Sequence, residues 1–262
     1  MRYPRAANRK LKSPFLVLVI LSTLPGTIGC NDDPVGLEGR RVTGLSQTFG
    51  NGTAQAFLNL DAQGEPTSLG ATLSESVLSS LPTSATVVIL ALPAEAADTP
   101  FNFVRVSFSP AGHPPPGIFD KPHFDFHFFL ITEQEVAAIG PADPNFAQKG
   151  AQTPEQAFIP PDYVPDPIAI PGHGTHWTDP TSPEFQGQPF TATFLYGFYE
   201  GRVIHLEPMV TSAFLLTQPN FSPPIKLPAS FAEPGLYPTS YSVKFDATGG
   251  EYVISLDDLM SR

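Results

Sequence analysis

The 262-residue chain contains a single cysteine, Cys30, and few charged residues for its length. One cysteine excludes an intrachain disulfide and a zinc site built from cysteine pairs. Charged residues make up 15% of the chain, against roughly 25% in an average soluble domain, which argues against coiled coils and solvated helical arrays. The formal net charge of −11 disfavours a nucleic-acid partner. With 41% hydrophobic residues, the chain nevertheless has enough apolar side chains to bury a core.

The first 29 residues have the order of a secretory signal. Five Lys and Arg residues precede an apolar run at residues 15–24, and no acidic residue occurs before Asp32. The run is too short for a transmembrane helix, which needs about 20 apolar residues. A small residue and Cys30 follow and resemble the cleavage site of a bacterial lipoprotein, with Thr27 where that motif usually has leucine. We therefore predict that residues 1–29 are removed and that Cys30 is lipidated; the alternative is secretion with an unmodified cysteine.

Cleavage at this point leaves a strongly acidic mature protein. Nine basic residues then stand against 25 acidic ones, a net charge of −16, so that an anionic lipid surface repels the domain. Residues 30–46 contain acidic side chains and several glycines, which predicts a polar tether between the lipid anchor and a single domain at residues 47–262. Membrane contact is expected through the anchor alone, and Asn31 favours the outer membrane of a double-membraned bacterium.

The composition and hydrophobic patterns predict an α+β fold, mainly an antiparallel β-sheet with a few short helices and long Pro-rich loops. Gly and Pro number 21 and 31, which indicates many turns and short elements. Apolar and polar residues alternate in strand 103–109 and in hairpins at residues 53–67 and 241–256. Residues 87–92 form a continuous apolar run, which predicts a buried strand.

The clearest hairpin spans residues 193–207, with Glu200 and Gly201 as a two-residue turn. This turn sets a register with three cross-strand pairs: Tyr199 with Arg202, Tyr196 with His205, and Phe194 with Glu207. His205 and Glu207 are then expected on the face that carries the aromatic residues of the first strand. Pro208 is expected to end the second strand, because proline cannot donate to a ladder.

Two Pro-rich stretches interrupt the predicted strands. Residues 141–171 contain eight prolines, and residues 219–238 contain six. The first stretch also carries several apolar side chains, which prefer burial and therefore argue against disorder. We expect it to lie over the sheet or over a neighbouring subunit.

The strongest candidate for a functional site is the segment 123–128. Alternate residues on a strand share a face, so His123, Asp125 and His127 line one side and three phenylalanines line the other. Thr132 and Glu135 have the spacing of a helix capping box, which predicts a short helix directly after the strand.

Chelation of one metal ion by this strand requires neighbouring members of the stripe. Along a strand His123 and His127 lie about 13 Å apart, whereas Asp125 lies about 6.6 Å from either. Two other segments offer further ligands: His173 with His176, and His205 with Glu207. Such nitrogens and carboxylates suit zinc, iron or manganese without choosing among them. Alternatively, Asp125 holds an imidazole in one tautomer, so that the histidine acts as a base.

The same residues are also compatible with a purely structural role. A histidine on a half-buried strand is more often a hydrogen-bonded structural residue than a ligand. His205 then forms only a cross-strand pair, and His113, beside three prolines, is a loop residue. The chain has no Gly-rich phosphate loop, no His-Glu-x-x-His helix and no Gly-x-Ser-x-Gly elbow, so no complete catalytic template supports an enzyme.

Four segments together resemble a family of uncharacterised bacterial secreted proteins and lipoproteins. These are residues 123–128, 174–180, 187–190 and 201–209. The resemblance extends over residues 47–262 and implies an envelope location, an antiparallel-sheet domain and ring-like homo-oligomers. It places five residues in characteristic positions of the family: His123, Asp125, His127, His176 and Glu207. The family has no known reaction, so the resemblance implies no activity.

Two functions are compatible with these observations. In the first, a cell-envelope lipoprotein binds a metal or small ligand without turnover through the five characteristic residues, with His173 and His205 ranked lower because they lie outside the family pattern. In the second, the same cluster is a metal-dependent or acid–base active site of hydrolase or lyase type. His127 or His176 would then activate water, and Glu207 would act as ligand or base. We favour the first.

Overall fold

A computed structural model describes residues 39–262, which form two antiparallel sheets. The predicted signal segment 1–29 and Cys30 lie outside the described residues. In chain order the strands are β1 (Arg40–Thr43), β2 (Gln47–Phe49), β3 (Gly52–Leu60), β4 (Pro66–Ser74), β5 (Thr86–Ala91), β6 (Phe103–Ser109), β7 (His123–Phe129), β8 (Val164–Pro165), β9 (Thr175–Thr178), β10 (Ala192–Tyr199), β11 (Arg202–Thr211), β12 (Asn220–Phe221), β13 (Leu236–Tyr237), β14 (Ser240–Asp246), β15 (Glu251–Asp257) and β16 (Met260–Ser261).

The helices are short and lie between strands. They are α1 (Glu75–Leu78), α2 (Glu133–Ala138), α3 (Phe146–Gly150) and α4 (Ser212–Leu215), with 3₁₀ turns at Ala94–Asp98, Gln156–Phe158 and Pro183–Gln186. Within the described part of the chain, none of these helices has the length and apolar composition of a membrane span.

The strand order confirms the predicted α+β class with mainly antiparallel sheet. The first sheet has the order β1-β3-β4-β15-β14-β12, with β2 also paired to β3. The second sheet has the order β5-β6-β7-β11-β10-β9-β8, and β13 pairs separately with β16. Because β1 pairs with β3, residues 40–43 of the predicted tether belong to the first sheet, and the domain begins before residue 47.

The core lies between the two sheets and is rich in aromatic rings. Phe194 of the second sheet contacts Tyr241 of the first, with ring centroids 5.2 Å apart, and Phe49 contacts Phe124 at 5.9 Å. Every second residue of β7 points into this core, as the alternation predicts: Phe124, Phe126 and Phe128 are fully buried there. The opposite face of β7 carries the histidines.

The predicted hairpins are present, and their turns have the expected chemistry. Strands β3 and β4, β10 and β11, and β14 and β15 pair as antiparallel neighbours. At the β10–β11 turn, Glu200 and Gly201 have φ angles of 53° and 73°. A tight turn that matches the twist of its strands needs positive φ at both central residues, which explains the glycine.

The predicted register of this hairpin is wrong beyond the first pairs. A β-bulge inserts one extra residue into β11, so that Phe198 pairs with Val203 but Gly197 pairs with His205. A one-residue shift moves all following side chains to the other face. His205 and Glu207 therefore share a face with Gly197 and Leu195. This face lies opposite Phe194, Tyr196 and Phe198, which point into the core.

Two further strand predictions are corrected by the structure. Strand β11 continues through Pro208 to Thr211, although its pairing with β7 is interrupted at residues 207 and 208, where proline offers no N–H. The apolar run of β5 is an edge strand rather than a buried one, and Val87 is 58% exposed. Strand order, rather than composition, decides this exposure.

The segments around the second sheet follow their predicted roles. Helix α2 begins with a complete capping box, in which the Thr132 side chain accepts from the backbone N–H of Glu135 and the Glu135 carboxylate accepts from the N–H of Thr132. The first Pro-rich stretch lies over the second sheet: Phe146 packs against Tyr199, and Ile168 borders a cavity above the histidine face.

Candidate metal centre

The outer face of the second sheet carries a polar patch between two apolar clusters. One cluster consists of Phe103, Phe129, Ile131, Val136, Ile139, Tyr199 and Ile204, and the other of Phe119, Phe190, Leu195 and Met209. The patch contains His123, Asp125, His127, His176, His205 and Glu207, each no more than 5% exposed. These polar residues are therefore buried although they lie outside the core.

Glu207 of β11 lies among histidines from three strands and a turn. Its Oε1 is 3.1 Å from Nε2 of His127, and its Oε2 is 3.3 Å from Nε2 of His176. Nδ1 of His205 lies 3.6 Å from the same Oε2. The His173 ring is 4.8 Å from the His127 ring, measured between centroids. We call His127, His176, His205 and Glu207 the Glu207 centre.

The close nitrogen–oxygen pairs of this centre are not hydrogen bonds. Within residues 39–262, Nε2 of His127, Nε2 of His176 and Oε2 of Glu207 have no hydrogen-bond partner, because the ring N–H directions do not meet the carboxylate. Ligands of a tetrahedral ion with bonds of about 2.0–2.1 Å lie about 3.3 Å from one another. The separations of 3.1 and 3.3 Å are compatible with this geometry, and one ligand atom from each of His127, His176 and Glu207 lies within 4.8 Å of the other two.

The β-bulge and a glycine orient His205 in the centre. Nε2 of His205 is 3.1 Å from the carbonyl oxygen of His173, so Nε2 donates its proton there and Nδ1 keeps its lone pair toward Glu207. The His205 ring covers Gly197, where a Cβ would overlap it. Glycine inside a strand pattern is a signal for a bulge or a close approach. That signal indicates an irregularity near Gly197, but it does not say which strand carries the extra residue.

His173 lies in a tight turn before β9 and borders the cavity. Gly172 and Gly174 on either side both have φ of 71°, which favours glycine. Nδ1 of His173 is 2.9 Å from the carbonyl oxygen of Pro171, so its Nε2 is the nitrogen that keeps a lone pair. The residue is thus placed between the Glu207 centre and any molecule in the cavity.

The electrostatics of the centre favour neutral imidazoles. Burial lowers the pKa of His127 and His205 well below the ordinary value, and the Arg105 guanidinium adds to this effect at His127. Burial, with Arg105 next, also lowers the pKa of His173 to about 3. Burial raises the pKa of Glu207, because water does not solvate its charge. The neutral rings of His127 and His205 beside the buried Glu207 carboxyl group are donors to which a cation can bind.

A second group of ligand-type residues lies beside the first on β7. Nε2 of His123 is 3.0 Å from Oδ1 of Asp125, and Nε2 of His113 is 3.6 Å from the same oxygen. Ser107 of β6 donates to the other oxygen, Oδ2, at 3.4 Å. We call His113, His123 and Asp125 the Asp125 cluster. In this cluster, as in the set His127, His176 and Glu207, the ligand atoms all lie within 4.8 Å of one another.

The charge of the Asp125 cluster differs from that of the Glu207 centre. Burial disfavours ionisation of Asp125, but its contacts with His113 and His123 outweigh burial and hold the pKa of the carboxyl well below its ordinary value. Burial likewise disfavours a charged His113, yet the adjacent carboxylate raises the pKa of this histidine to about 9. The carboxylate is therefore ionised and attracts a positive charge.

A cavity of about 620 Å³ opens above both groups. Its floor includes Asp125, His127, His176 and Glu207, and its walls include Pro114–Pro116, Ile168 and Ile170. Arg105 donates to the carbonyl oxygen of Gly172 at 3.2 Å and lies over the Phe129 ring, which holds its charge at the cavity edge. Burial, followed by the charge of Glu207, raises the pKa of Asp166 in the wall to about 6.

The structure brings the predicted residues to one cavity but divides them between two groups. His123 and Asp125 belong to the Asp125 cluster, whereas His127, His176 and Glu207 belong to the Glu207 centre. His205, which was ranked lower, lies in the Glu207 centre. His113 contacts Asp125 and is more than a loop residue. All six histidines fall between residues 113 and 205, and this clustering was the available signal for His113.

Comparison with known protein families shows a match over part of the chain. Residues 61–108 match a model of a family described as TTHB210-like, hypothetical protein TTHB210. The matched segment ends before β7 and contains Arg105 and Ser107 but none of the two groups of ligand-type residues. No curated protein and no solved structure matches the chain. The similarity thus supports a relation to an uncharacterised family whose description states no activity.

Proposed function

We propose that this domain binds one divalent transition-metal ion at the Glu207 centre. The observation that carries the proposal is the pair of separations, 3.1 and 3.3 Å, between the two Glu207 oxygens and Nε2 of His127 and His176. These atoms are buried and misaligned for hydrogen bonding, as expected of ligands that face a common ion. Two imidazoles and a carboxylate suit zinc, iron or manganese, with His205 as a further nitrogen donor.

A proton is a poorer occupant of this centre than a metal ion. A proton on Glu207 serves one nitrogen at most, and the second nitrogen still faces a carboxylate oxygen. Five side-chain atoms of the centre lack a hydrogen-bond partner among the described residues: Nδ1 and Nε2 of His127, Nε2 of His176, Nδ1 of His205 and Oε2 of Glu207. A buried polar atom without a partner costs roughly 1–3 kcal/mol. A bound cation offsets most of this cost.

The proposed role of the domain is binding without turnover in the cell envelope. The leader sequence and Cys30 support export and a lipid anchor, and the acidic mature domain supports membrane contact through that anchor alone. Replacement of Cys30 by serine should abolish acylation and release the protein from the membrane fraction, and mass spectrometry of that fraction tests this. Continued membrane association of an unacylated variant would contradict the anchor. The family resemblance supports a homo-oligomer, which a monomer mass by light scattering at micromolar concentration would refute.

The cavity favours a second candidate, a metal-dependent enzyme of hydrolase or lyase type. Three protein ligands facing a cavity leave a coordination position for water or substrate, as catalytic zinc sites do. Asp166 in the cavity wall can handle a proton, since burial raises its pKa to about 6. This candidate requires turnover by the metal-loaded protein that is lost in Glu207→Gln. Turnover that survives this substitution would assign it to another site.

Metal analysis of the full-length protein tests the binding function. After loading with Zn²⁺ and removal of free metal, the wild type should retain metal, and Glu207→Gln should lose one equivalent. Glu184→Gln is the matched control, because Glu184 is a buried glutamate that accepts from Ser182 outside the centre. Equal metal content in all three proteins would overturn the proposal.

A further inference from the structure

The Asp125 cluster holds two imidazoles whose protonation is set by the backbone. Nδ1 of His123 is 2.6 Å from the carbonyl oxygen of Lys121, and Nδ1 of His113 is 2.8 Å from that of Pro114. A carbonyl oxygen only accepts, so each Nδ1 carries the proton and donates it. When such a ring carries a single proton, Nε2 is the nitrogen that holds the lone pair. A backbone carbonyl behind the ring is also the usual support of a metal-binding histidine.

Both Nε2 atoms lie close to one oxygen of a carboxylate. Oδ1 of Asp125 lies 3.0 Å from Nε2 of His123 and 3.6 Å from Nε2 of His113, and the two rings are 4.7 Å apart. In the region 39–262, neither Nε2 of His123 nor Oδ1 of Asp125 has a hydrogen-bond partner. His123 is fully buried and Asp125 is 4% exposed, so bulk water does not solvate these atoms. Two ring nitrogens and one carboxylate oxygen thus lie together, and those of His123 and Asp125 are shielded from bulk water.

From this arrangement we infer that the Asp125 cluster binds a second divalent transition-metal ion, through Nε2 of His113, Nε2 of His123 and the Asp125 carboxylate. A single proton on His113 is the simpler alternative, but it leaves the lone pair of His123 facing Oδ1 at 3.0 Å. A proton on His123 makes no aligned hydrogen bond to that oxygen either. One ion between the three atoms satisfies all of them.

The surrounding residues hold the side chains of the Asp125 cluster in one orientation. Ser107 donates to Oδ2 of Asp125, which leaves Oδ1 as the oxygen that faces the histidines. Phe190 packs edge-on against the His123 ring at 5.4 Å, and Phe119 packs against His113 at 5.9 Å. These aromatic rings hold the two imidazoles in place, while the His113 side chain stays 28% exposed and borders the cavity.

The second ion is separate from the first and has a different consequence. Asp125 and His127 are two residues apart on β7, about 6.6 Å along the strand, so the two ions do not share a ligand position. His113 comes from the loop between β6 and β7, whose residues Pro114–Pro116 form part of the cavity wall. Binding at the Asp125 cluster therefore ties this wall to the sheet, and the second ion shapes the entrance to the Glu207 centre.

Metal stoichiometry of single-site variants tests the inference. The full-length wild type, loaded with Zn²⁺ and freed of excess metal, should retain two equivalents at neutral pH. His113→Ala should retain one, Glu207→Gln should retain one, and the double variant should retain none. Asp120→Asn is the matched control, because Asp120 is an exposed carboxylate of the same loop and should leave both ions bound. Visible d–d absorption of Co²⁺ provides a second measurement, in which each variant should remove the bands of its own centre.

The outcomes separate this inference from the proposed function. If His113→Ala binds as much Zn²⁺ and gives the same Co²⁺ spectrum as the wild type, the second site is refuted, whatever the result for Glu207→Gln. If only Glu207→Gln leaves the metal content unchanged, the first centre fails and the second stands. Should His113→Ala not fold, His113→Gln keeps a similar side-chain volume without the imidazole, and retention of two equivalents by that variant would equally refute the site.

Discussion

Removal of metal from the Glu207 centre should lower the thermal stability of the protein by a predictable amount. A ligand that binds only the folded state stabilises it by about 4 kcal/mol when its free concentration is 1,000 times Kd. For a domain of 150–250 residues, 1 kcal/mol shifts Tm by roughly 2–4 °C. Chelation of the loaded protein should therefore lower Tm by about 8–16 °C. The measurement is best made in a His113→Ala background, so that only the Glu207 centre contributes.

Whether Glu207→Gln lowers or raises the Tm of the metal-free protein decides between a metal centre and a structural ion pair. In a structural pair, loss of one buried partner costs about 3–5 kcal/mol, and the variant should melt at least about 6 °C below the chelated parent. In a metal centre, burial disfavours the charge of the metal-free Glu207 carboxyl group, and an amide of the same shape carries no charge to bury. We therefore expect Glu207→Gln to melt at or above the chelated parent and to show no response to added metal.

Thermal melting monitored by circular dichroism, with and without chelator, is the assay for both expectations. Glu184→Gln in the same background should keep the full response to metal, since its carboxylate lies outside both groups of ligand-type residues. The reasoning is refuted if loaded and chelated parent proteins melt at the same temperature. It is also refuted if the metal-free Glu207→Gln variant shows the large loss expected of a broken ion pair.

Three further predictions address the structure that supports the centre. Gly197→Ala should displace the His205 ring, lower the free energy of unfolding by about 1–3 kcal/mol in denaturant titration, and weaken Co²⁺ binding. Unchanged stability and Co²⁺ affinity would contradict the close packing of the ring on Gly197. Phe126→Ala should cost about 3–5 kcal/mol by the same measurement without changing the metal content of the folded protein, because the side chain points into the core; loss of metal would contradict this separation. Thr132→Ala should cost about 1 kcal/mol above pH 5 through loss of the helix cap, measured by thermal melting. Hydrogen bonds from the backbone and side chain of Thr132 lower the pKa of Glu135. The contribution of Glu135 to folding stability is therefore complete above its unfolded pKa of about 4.3 and is lost as the pH falls through the lower folded pKa. A stability cost of Thr132→Ala that does not shrink below pH 4 would refute this contribution of the carboxylate.

Most of the individual elements could be predicted because their causes are local. Alternation of apolar and polar residues identifies β7 and its two faces, since neighbouring side chains on a strand point in opposite directions. Thr132 and Glu135 form the capping box that their spacing predicts, and Glu200 with Gly201 forms the predicted turn. In each case the interacting groups lie within a few residues of one another, so the local sequence is sufficient to predict the structure that they form.

The grouping of the site residues could not be predicted, because it depends on contacts between distant segments. The bulge in β11 turns His205 and Glu207 away from the core, and it follows from Gly197 on the neighbouring strand leaving room for the His205 ring. The position of β5 at the sheet edge similarly depends on strand order and not on its apolar run.

The sequence by itself determined the antiparallel class, the histidine face of β7, and the short helix that follows it. Only the tertiary structure decided that His127 joins Glu207 and His176 while Asp125 joins His113, because strand pairing and loop packing select the partners. Periodicity sets the direction of a side chain. Strand register decides which residues this side chain contacts. Burial of the aromatic residues between the two sheets sets the register of the strands that carry the ligands.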